Sequence, residues 1–248
     1  MGSSAQAEET PLTMNRKRVG ILIFPSVEVL DFCGPFEVFS VTRLDEERRR
    51  EDPSPFEVLV VAEERGVTVS SGGLKVIPNC TLDDCPPLDI LVVPGGWGVR
   101  REINNVRLLD WIAETGREVE TLASVCTGAM LLGKAGLLYE RRATTHWKSL
   151  GWMRESFPDV TVVEDQHVVE DGHLFTSAGI SAGIDLALRV VARYHGEEVA
   201  RATARHMEYR YPEDNTRRVE TTGRRNGRWW HRWLGIAKLR LRMNRSSG

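Results

Sequence analysis

A mostly parallel β-sheet covered by helices on both faces is the α/β architecture this sequence predicts, and three features predict it. Short apolar runs rich in β-branched residues recur along the chain: Val19 to Phe24, Phe56 to Ala62 and Asp89 to Val93. Continuous runs of this kind suit strands buried on both faces, whereas half-exposed strands alternate apolar with polar. Helix-period stretches separate them, and such alternation calls for crossover connections and a parallel sheet. Glycine or proline closes several of the runs, as in Pro94-Gly95-Gly96, where the chain must turn sharply.

The elements follow in order. Val19 to Phe24 is a strand stopped by Pro25. Val27 to Leu44 carries apolar residues at helical spacing (Val29, Leu30, Phe36, Val38, Phe39, Val41), and Gly34-Pro35 predicts an interruption near its start. Phe56 to Ala62 is the second strand. Val67 to Ser70 and Leu74 to Ile77 flank Ser71-Gly72-Gly73, a hairpin signal. Asp89 to Val93 is a buried strand, and Val106 to Thr115 a helix. The apolar segment Val119 to Val125 then ends at Cys126, and Ala129, Met130, Leu131 and Leu132 open another helix. Trp147 to Phe157 reads as helical. Val160 to Val163, Gln166 to Val169 and His173 to Thr176 read as short strands, the last two joined at Glu170-Asp171-Gly172. Ser177-Ala178-Gly179 leads into helices over Ala182 to Tyr194 and Glu197 to Tyr209.

In open parallel sheets the ligand lies beyond the C-terminal strand ends. Asp31, Gly95, Gly96, Cys126 and Gly179 all follow predicted strand ends, so they are expected to converge. Cys126 carries most of the chemistry. It sits at a strand-to-helix bend, where unpaired backbone N–H groups and the helix dipole favour negative charge. The expectation is a thiol pKa lowered by about two units, giving a thiolate nucleophile. A buried structural thiol is the alternative. The double glycine after Pro94 suggests a close backbone approach, or simply a tight turn.

Composition bounds the rest. The 248 residues, 41% hydrophobic and 27% charged, suit one α/β domain with tails. The expected limits are a flexible extension over 1–17, a domain over 18–211, and a basic, Trp-rich tail over 212–248. No run of eighteen apolar residues occurs, so no spanning helix is expected. The first residues are small and polar without an apolar core, which argues against a secretory signal. With four cysteines (Cys33, Cys80, Cys85, Cys126) and no export signal, a cytoplasmic setting is expected, without a disulfide framework. Cys80 and Cys85 have no second ligand pair nearby, so neither a metal nor another cofactor is expected. From Arg217 onward ten Arg or Lys face one acid, Glu220, while the chain as a whole carries −2. The body is thus acidic and would repel nucleic acid. Trp229, Trp230, Trp233 and Leu234 among Arg228, Arg232 and Lys238 fit a basic amphipathic helix for a membrane surface or partner protein. An unstructured extension fits equally well.

Several segments together resemble the ThiJ/PfpI superfamily: LDFCGPFEVF (Leu30 to Phe39), LVVPGG (Leu91 to Gly96), ASVCTGAMLLGKAGLL (Ala123 to Leu138), ATTHW (Ala143 to Trp147) and TSAGISAGIDLAL (Thr176 to Leu188). That resemblance implies a flavodoxin-like three-layer sandwich related to class I glutamine amidotransferases, and a homodimer. Asp31 before Gly34-Pro35, and Thr127 directly after the nucleophile, look like the isonitrile hydratase subgroup. The same segments resemble the ligand domain of AraC-type regulators, which continue into a helix-turn-helix domain larger than the residues left here after Tyr211.

The resemblance implies addition of water to a small-molecule isonitrile, giving an N-substituted formamide. Cys126 as thiolate would attack the terminal carbon. Asp31 would deliver a proton and then activate water, a role favoured by a burial-raised pKa. Backbone donors near Gly96 and Thr127 would hold developing charge, and the Thr127 hydroxyl would bond Asp31 or the water. His146 matches the position where several superfamily members keep a His near the thiol. Each residue also has a plainer reading: Asp31 as a helix N-cap, Thr127 as a first-turn residue, His146 as a core or interface His, and Glu37 as a solvated side chain. Cys33 is either a buried thiol or an oxidation partner of Cys126. Three functions stay open: isonitrile hydration, other superfamily chemistry such as a glyoxalase, deglycase or amide hydrolase, and a ligand or redox sensor. Removing Arg217 to Gly248 is expected to leave activity intact.

Overall fold

A computed structural model describes residues 16–221. The extension before residue 16 and the amphipathic stretch around Trp229 lie outside them. In order come β1 (Lys17–Ile23), α1 (Val29–Val41), β2 (Phe56–Ala62), β3 (Thr68–Val69), β4 (Lys75–Val76), β5 (Cys80–Thr81), β6 (Ile90–Val93), α2 (Val99–Glu102), α3 (Val106–Glu118), β7 (Thr121–Val125) and α4 (Gly128–Lys134). Then follow β8 (Arg142–Ala143), α5 (Leu150–Ser156), β9 (Thr161–Val162), β10 (Val168–Asp171), β11 (Leu174–Ser177), α6 (Ala182–His195) and α7 (Glu197–His206).

Seven strands form one sheet in the order β10-β11-β7-β6-β1-β2-β5. Every pairing is parallel except the β10–β11 hairpin at the edge. β1 is followed by a strand on one side and β6 by a strand on the other. Right-handed crossovers therefore place α1 and α3 on opposite faces. α6 and α7 pack with α1, while α2 and α4 lie with α3, which completes three layers. Strands β6 and β7 are buried along their whole length, as central strands between two helical layers must be.

Tertiary packing changes several expectations. α1 runs without interruption through Gly34 and Pro35. A Cβ on Gly34 would lie 3.0 Å from Ile184, and one on Gly183 would lie 3.4 Å from Pro35. Close packing of α1 on α6 thus outweighs the one backbone bond that proline removes. α3 extends to Glu118, whereas α7 stops at His206. The stop comes where Glu208 adopts φ 50° and the Tyr209 N–H closes on the Ala204 carbonyl at 2.8 Å, a left-handed helix end. Trp147 to Phe157 divides into a 3-10 turn and α5. β5, β8 and α2 are additions, too short to carry a period.

The chain also stays bound past Tyr211. Asn215 accepts from His167 N at 2.8 Å through its carbonyl, and its side chain pairs with both backbone groups of Val168. Arg218 reaches Asp185 at 2.9 Å. The expected boundary at Tyr211 therefore falls inside the packed body, and Arg217 and Arg218 belong to it. Among the described residues no helix is long and apolar enough to cross a membrane.

Candidate active site

The carboxyl ends of β1, β6, β7 and β11 are neighbours, and the segments leaving them meet. β7 delivers Cys126 at φ 57°, the left-handed region that a side chain seldom adopts. Strain of this kind persists only where surroundings fix it. The Cys126 N–H donates to the Ser177 carbonyl at 3.2 Å, and its own carbonyl accepts from the Thr145 hydroxyl at 2.7 Å. α4 begins immediately after this bend. A Cβ on Gly128 would lie 2.0 Å from the Val93 carbonyl, so only glycine lets α4 start against β6.

Asp31 lies in the first turn of α1 and is fully buried. It is not the N-cap, which is Glu28. Its Oδ2 accepts from the Gly95 N–H at 3.0 Å, while Oδ1 is buried without a hydrogen-bond partner. Burial pushes this carboxyl up to about 8, with nearby Glu28 adding to the rise, while the Gly95 N–H and the Cys126 thiol pull against it. Gly95 fits only as glycine: a Cβ would lie 2.5 Å from Thr127 N and 2.9 Å from Asp31 Oδ2. The Gly96 N–H donates to the Thr127 hydroxyl oxygen at 3.0 Å. Gly179, at φ 97°, covers the sulfur from the other side, where a Cβ would lie 2.4 Å from the Cys126 Cβ and 3.0 Å from Sγ.

Two expectations are corrected. The thiol pKa moves upward: burial and the Asp31 carboxyl push Cys126 well above the ordinary thiol value, outweighing the Thr127 backbone N–H and hydroxyl. Cys126 is 7% exposed, and loss of water destabilises an anion more than one short helix restores. The N–H groups of Gly95 and Gly96 are also not free to hold charge. They are spent on Asp31 and Thr127, so both glycines position the two side chains, and Thr127 bonds Gly96 rather than Asp31.

His146 lies beside this group, one residue from Thr145, with Nδ1 accepting the Lys148 N–H at 3.3 Å. Burial, with Lys148 and Arg217 adding, pushes it down to about 4, so it is neutral at physiological pH. Among the described residues no hydrogen bond joins it to Cys126. Glu37 is exposed, and Cys33 is a free, half-buried thiol. Sequence reasoning passed over Glu28 and Thr145. Thr145 precedes His146 in the ATTHW segment and was legible as its neighbour, Gly128 stood in the Thr-Gly pair that follows Cys126, and nothing in the sequence marked Glu28.

A crevice of about 250 Å³ opens beyond β1 and β2, lined in part by Pro25, Glu63, Thr68, Glu102 and Asn105, and Cys126 is not part of it. Among the described residues no group of three or more His, Cys, Asp or Glu is arranged to hold a metal ion.

The fold and site define a flavodoxin-like α/β sandwich with a cysteine on a strained strand-to-helix elbow. Residues 17–193 match the DJ-1/PfpI family, and the chain belongs to it. It is 36% identical over 193 residues to an isonitrile hydratase of Pseudomonas putida, covering 77% of this chain and 78% of that one. It is 31% identical over 179 residues to the HTH-type transcriptional regulator CdhR of Pseudomonas aeruginosa, spanning 72% of this chain but only 51% of the regulator. Among solved structures, a ThiJ/PfpI family protein from Pseudomonas syringae superposes with a TM-score of 0.69 at 25% identity, covering 95% of this chain and 93% of that one. DJ-1beta of Drosophila melanogaster shares the fold, with a TM-score of 0.64 at 21% identity over 79% of this chain and 100% of its own.

Proposed function

We propose that this protein hydrates a small-molecule isonitrile to the N-substituted formamide, with Cys126 as nucleophile, Asp31 as proton carrier and Thr127 as a positioning group. The observation that carries this reading is the Asp31 carboxyl, buried beside the Cys126 thiol and pushed up to about 8. Such a carboxyl keeps its proton at neutral pH. An isonitrile has no leaving group, and its terminal carbon must gain a proton as well as a bond to sulfur. A carboxylic acid beside a thiol supplies both.

The steps balance without a cofactor. Asp31 gives its proton to the terminal carbon of R–NC as the Cys126 sulfur bonds to that carbon, and the thiol proton passes to the Asp31 carboxylate. The product of this step is the thioimidate R–N=CH–S–Cys126. Asp31 then protonates nitrogen while water adds to carbon, and takes up a proton from that water. Collapse of the adduct R–NH–CH(OH)–S–Cys126 forms the formamide C=O, and sulfur leaves as the thiol with the hydroxyl proton. The neutral starting thiol fits this order, in which proton transfer accompanies attack. Gly95 and Gly96 hold the two side chains in place, and Gly179 packs directly against the Cys126 side chain. A homodimer in the cytoplasm is part of the same reading.

Similarity to the Pseudomonas putida hydratase over most of both chains supports this function. The test is loss of an alkyl isonitrile with appearance of the formamide, for wild type, Cys126→Ser and Asp31→Asn. Turnover in wild type alone is the expected result. Wild-type rates in either variant would remove the mechanism. A ligand sensor is the second reading, favoured by the similarity to CdhR and the nearly enclosed sulfur. Absence of turnover, together with isonitrile-dependent thermal stabilisation, would favour it instead.

A further inference from the structure

Arg217 lies outside the residues that match the family, yet its side chain is 9% exposed and built into the wall beside the site. Its Nε donates to the Glu164 carbonyl at 2.5 Å; Nη2 donates to the Thr144 hydroxyl and, at 3.2 Å, to the Thr145 carbonyl. Among the described residues none forms an ion pair with it. Burial lowers the guanidinium's pKa, the Asp165 carboxylate opposes that from outside ion-pair contact, and three neutral oxygens receive the hydrogen bonds that a buried cation requires. Thr144 is further tied to the sheet, its N–H donating to the Thr176 hydroxyl at 2.9 Å and its own hydroxyl to the Val163 carbonyl at 2.7 Å. The hydroxyl of Thr145 donates to the Cys126 carbonyl.

One continuous chain of hydrogen bonds thus runs from Arg217 through Thr145 to the strained elbow. We infer that Arg217 is a positioning residue for the active site: its guanidinium clamps the Thr144–His146 segment, and Thr145 in turn fixes the backbone conformation of Cys126. The planar fork is what the position requires. It reaches three oxygens set at different angles, which a lysine ammonium on one flexible stem does not match. The C-terminal segment is thereby part of the site, and the expectation that residues from Arg217 onward are dispensable is replaced.

The inference rests on Cys126 being the reacting thiol, and not on which substrate it takes, so it is tested on the thiol. Alkylation by iodoacetamide is followed peptide by peptide in the full chain. Cys80, buried on β5 and separated from β7 by three strands, reports any general loosening. In Arg217→Ala, Cys126 should be alkylated about tenfold faster with Cys80 still protected, since bonds to a charged donor typically hold a segment by that much. Added methylguanidinium should restore the slow rate, while Arg217→Lys should behave like Arg217→Ala. Arg217→Gln, which keeps a planar donor, should fall between wild type and alanine. Wild-type alkylation of Cys126 in Arg217→Ala would overturn the inference. So would a parallel rise at Cys80, or no response to methylguanidinium. A failed isonitrile assay would touch only the proposed substrate.

Discussion

The Asp31 carboxyl raises the Cys126 thiol's affinity for its proton, while the thiol's hydrogen bond works against the burial that raises the carboxyl's own. Asp31 is among the causes that push the thiol up, while Asp31 itself stands at about 8 through burial. The pair therefore rests uncharged at neutral pH, an acid and a thiol side by side.

Thiol reactivity follows from this coupling. Asp31→Asn removes a carboxylate that opposes ionisation of Cys126, and the asparagine oxygen can still accept from Gly95. The thiol pKa should fall, and alkylation of Cys126 at pH 8 should become several-fold faster, even though hydration is lost. Slower or unchanged alkylation would mean that the two groups do not interact.

Hydration should depend on pH in the opposite sense. The acid form of Asp31 is the one that donates, so the rate should hold across neutral pH and decline as pH rises through about 8. A rate that climbed steadily to pH 9 would point to a pre-formed thiolate instead.

Stability carries the same signature. The folded chain keeps a proton on Asp31 up to about 8, whereas the unfolded chain releases it near the ordinary 3.8. Folding stability should therefore be greatest below the lower value and fall as pH rises between the two. Asp31→Asn should abolish that slope and stabilise the protein at pH 7, on the order of 4 kcal/mol. Thermal melts of both proteins from pH 4 to 8 measure it; parallel curves would contradict the assignment.

Gly179 has no room for a side chain. Gly179→Ala would set a Cβ 2.4 Å from the Cys126 Cβ at a φ of 97°. It should cost about 2 kcal/mol of stability and more in rate, since the elbow itself must shift. A melt and a turnover assay both unchanged would show that the backbone accommodates it freely.

Thr127 separates packing from hydrogen bonding. Its hydroxyl oxygen receives the Gly96 N–H at a site 7% exposed. Thr127→Val should strand that donor at about 2 kcal/mol and lower the hydration rate, whereas Thr127→Ser should keep both near wild type. Equal behaviour of the two variants would assign Thr127 a packing role only.

Much of the fold was legible because burial on both faces leaves a local mark. β2 lies where its apolar run predicts, and α3 and α6 begin where their periodicity does. β5 and β8, two residues each, exist only as partners of other strands and leave no period to detect. Gly34-Pro35 pointed to a break that packing on α6 overrides.

At the site, the residues that follow strand ends could be read one by one: Asp31, Gly95, Cys126 and Gly179. Their order along the chain and the crossover rule bring them to one edge of the sheet. The charge state of Cys126 could not be read this way. A local motif supplies the helix terminus, but the direction of the shift depends on excluded water and on a carboxyl 95 positions away in the chain. Arg217 was invisible for the same reason, one basic residue in a basic segment until the fold set it against Thr144 and Thr145. The sequence by itself determined the architecture and which candidate residues follow the strand ends, since apolar period and turn chemistry are encoded locally. Only the tertiary structure decided protonation and support, because desolvation and hydrogen bonding are set by neighbours that the chain brings from a distance.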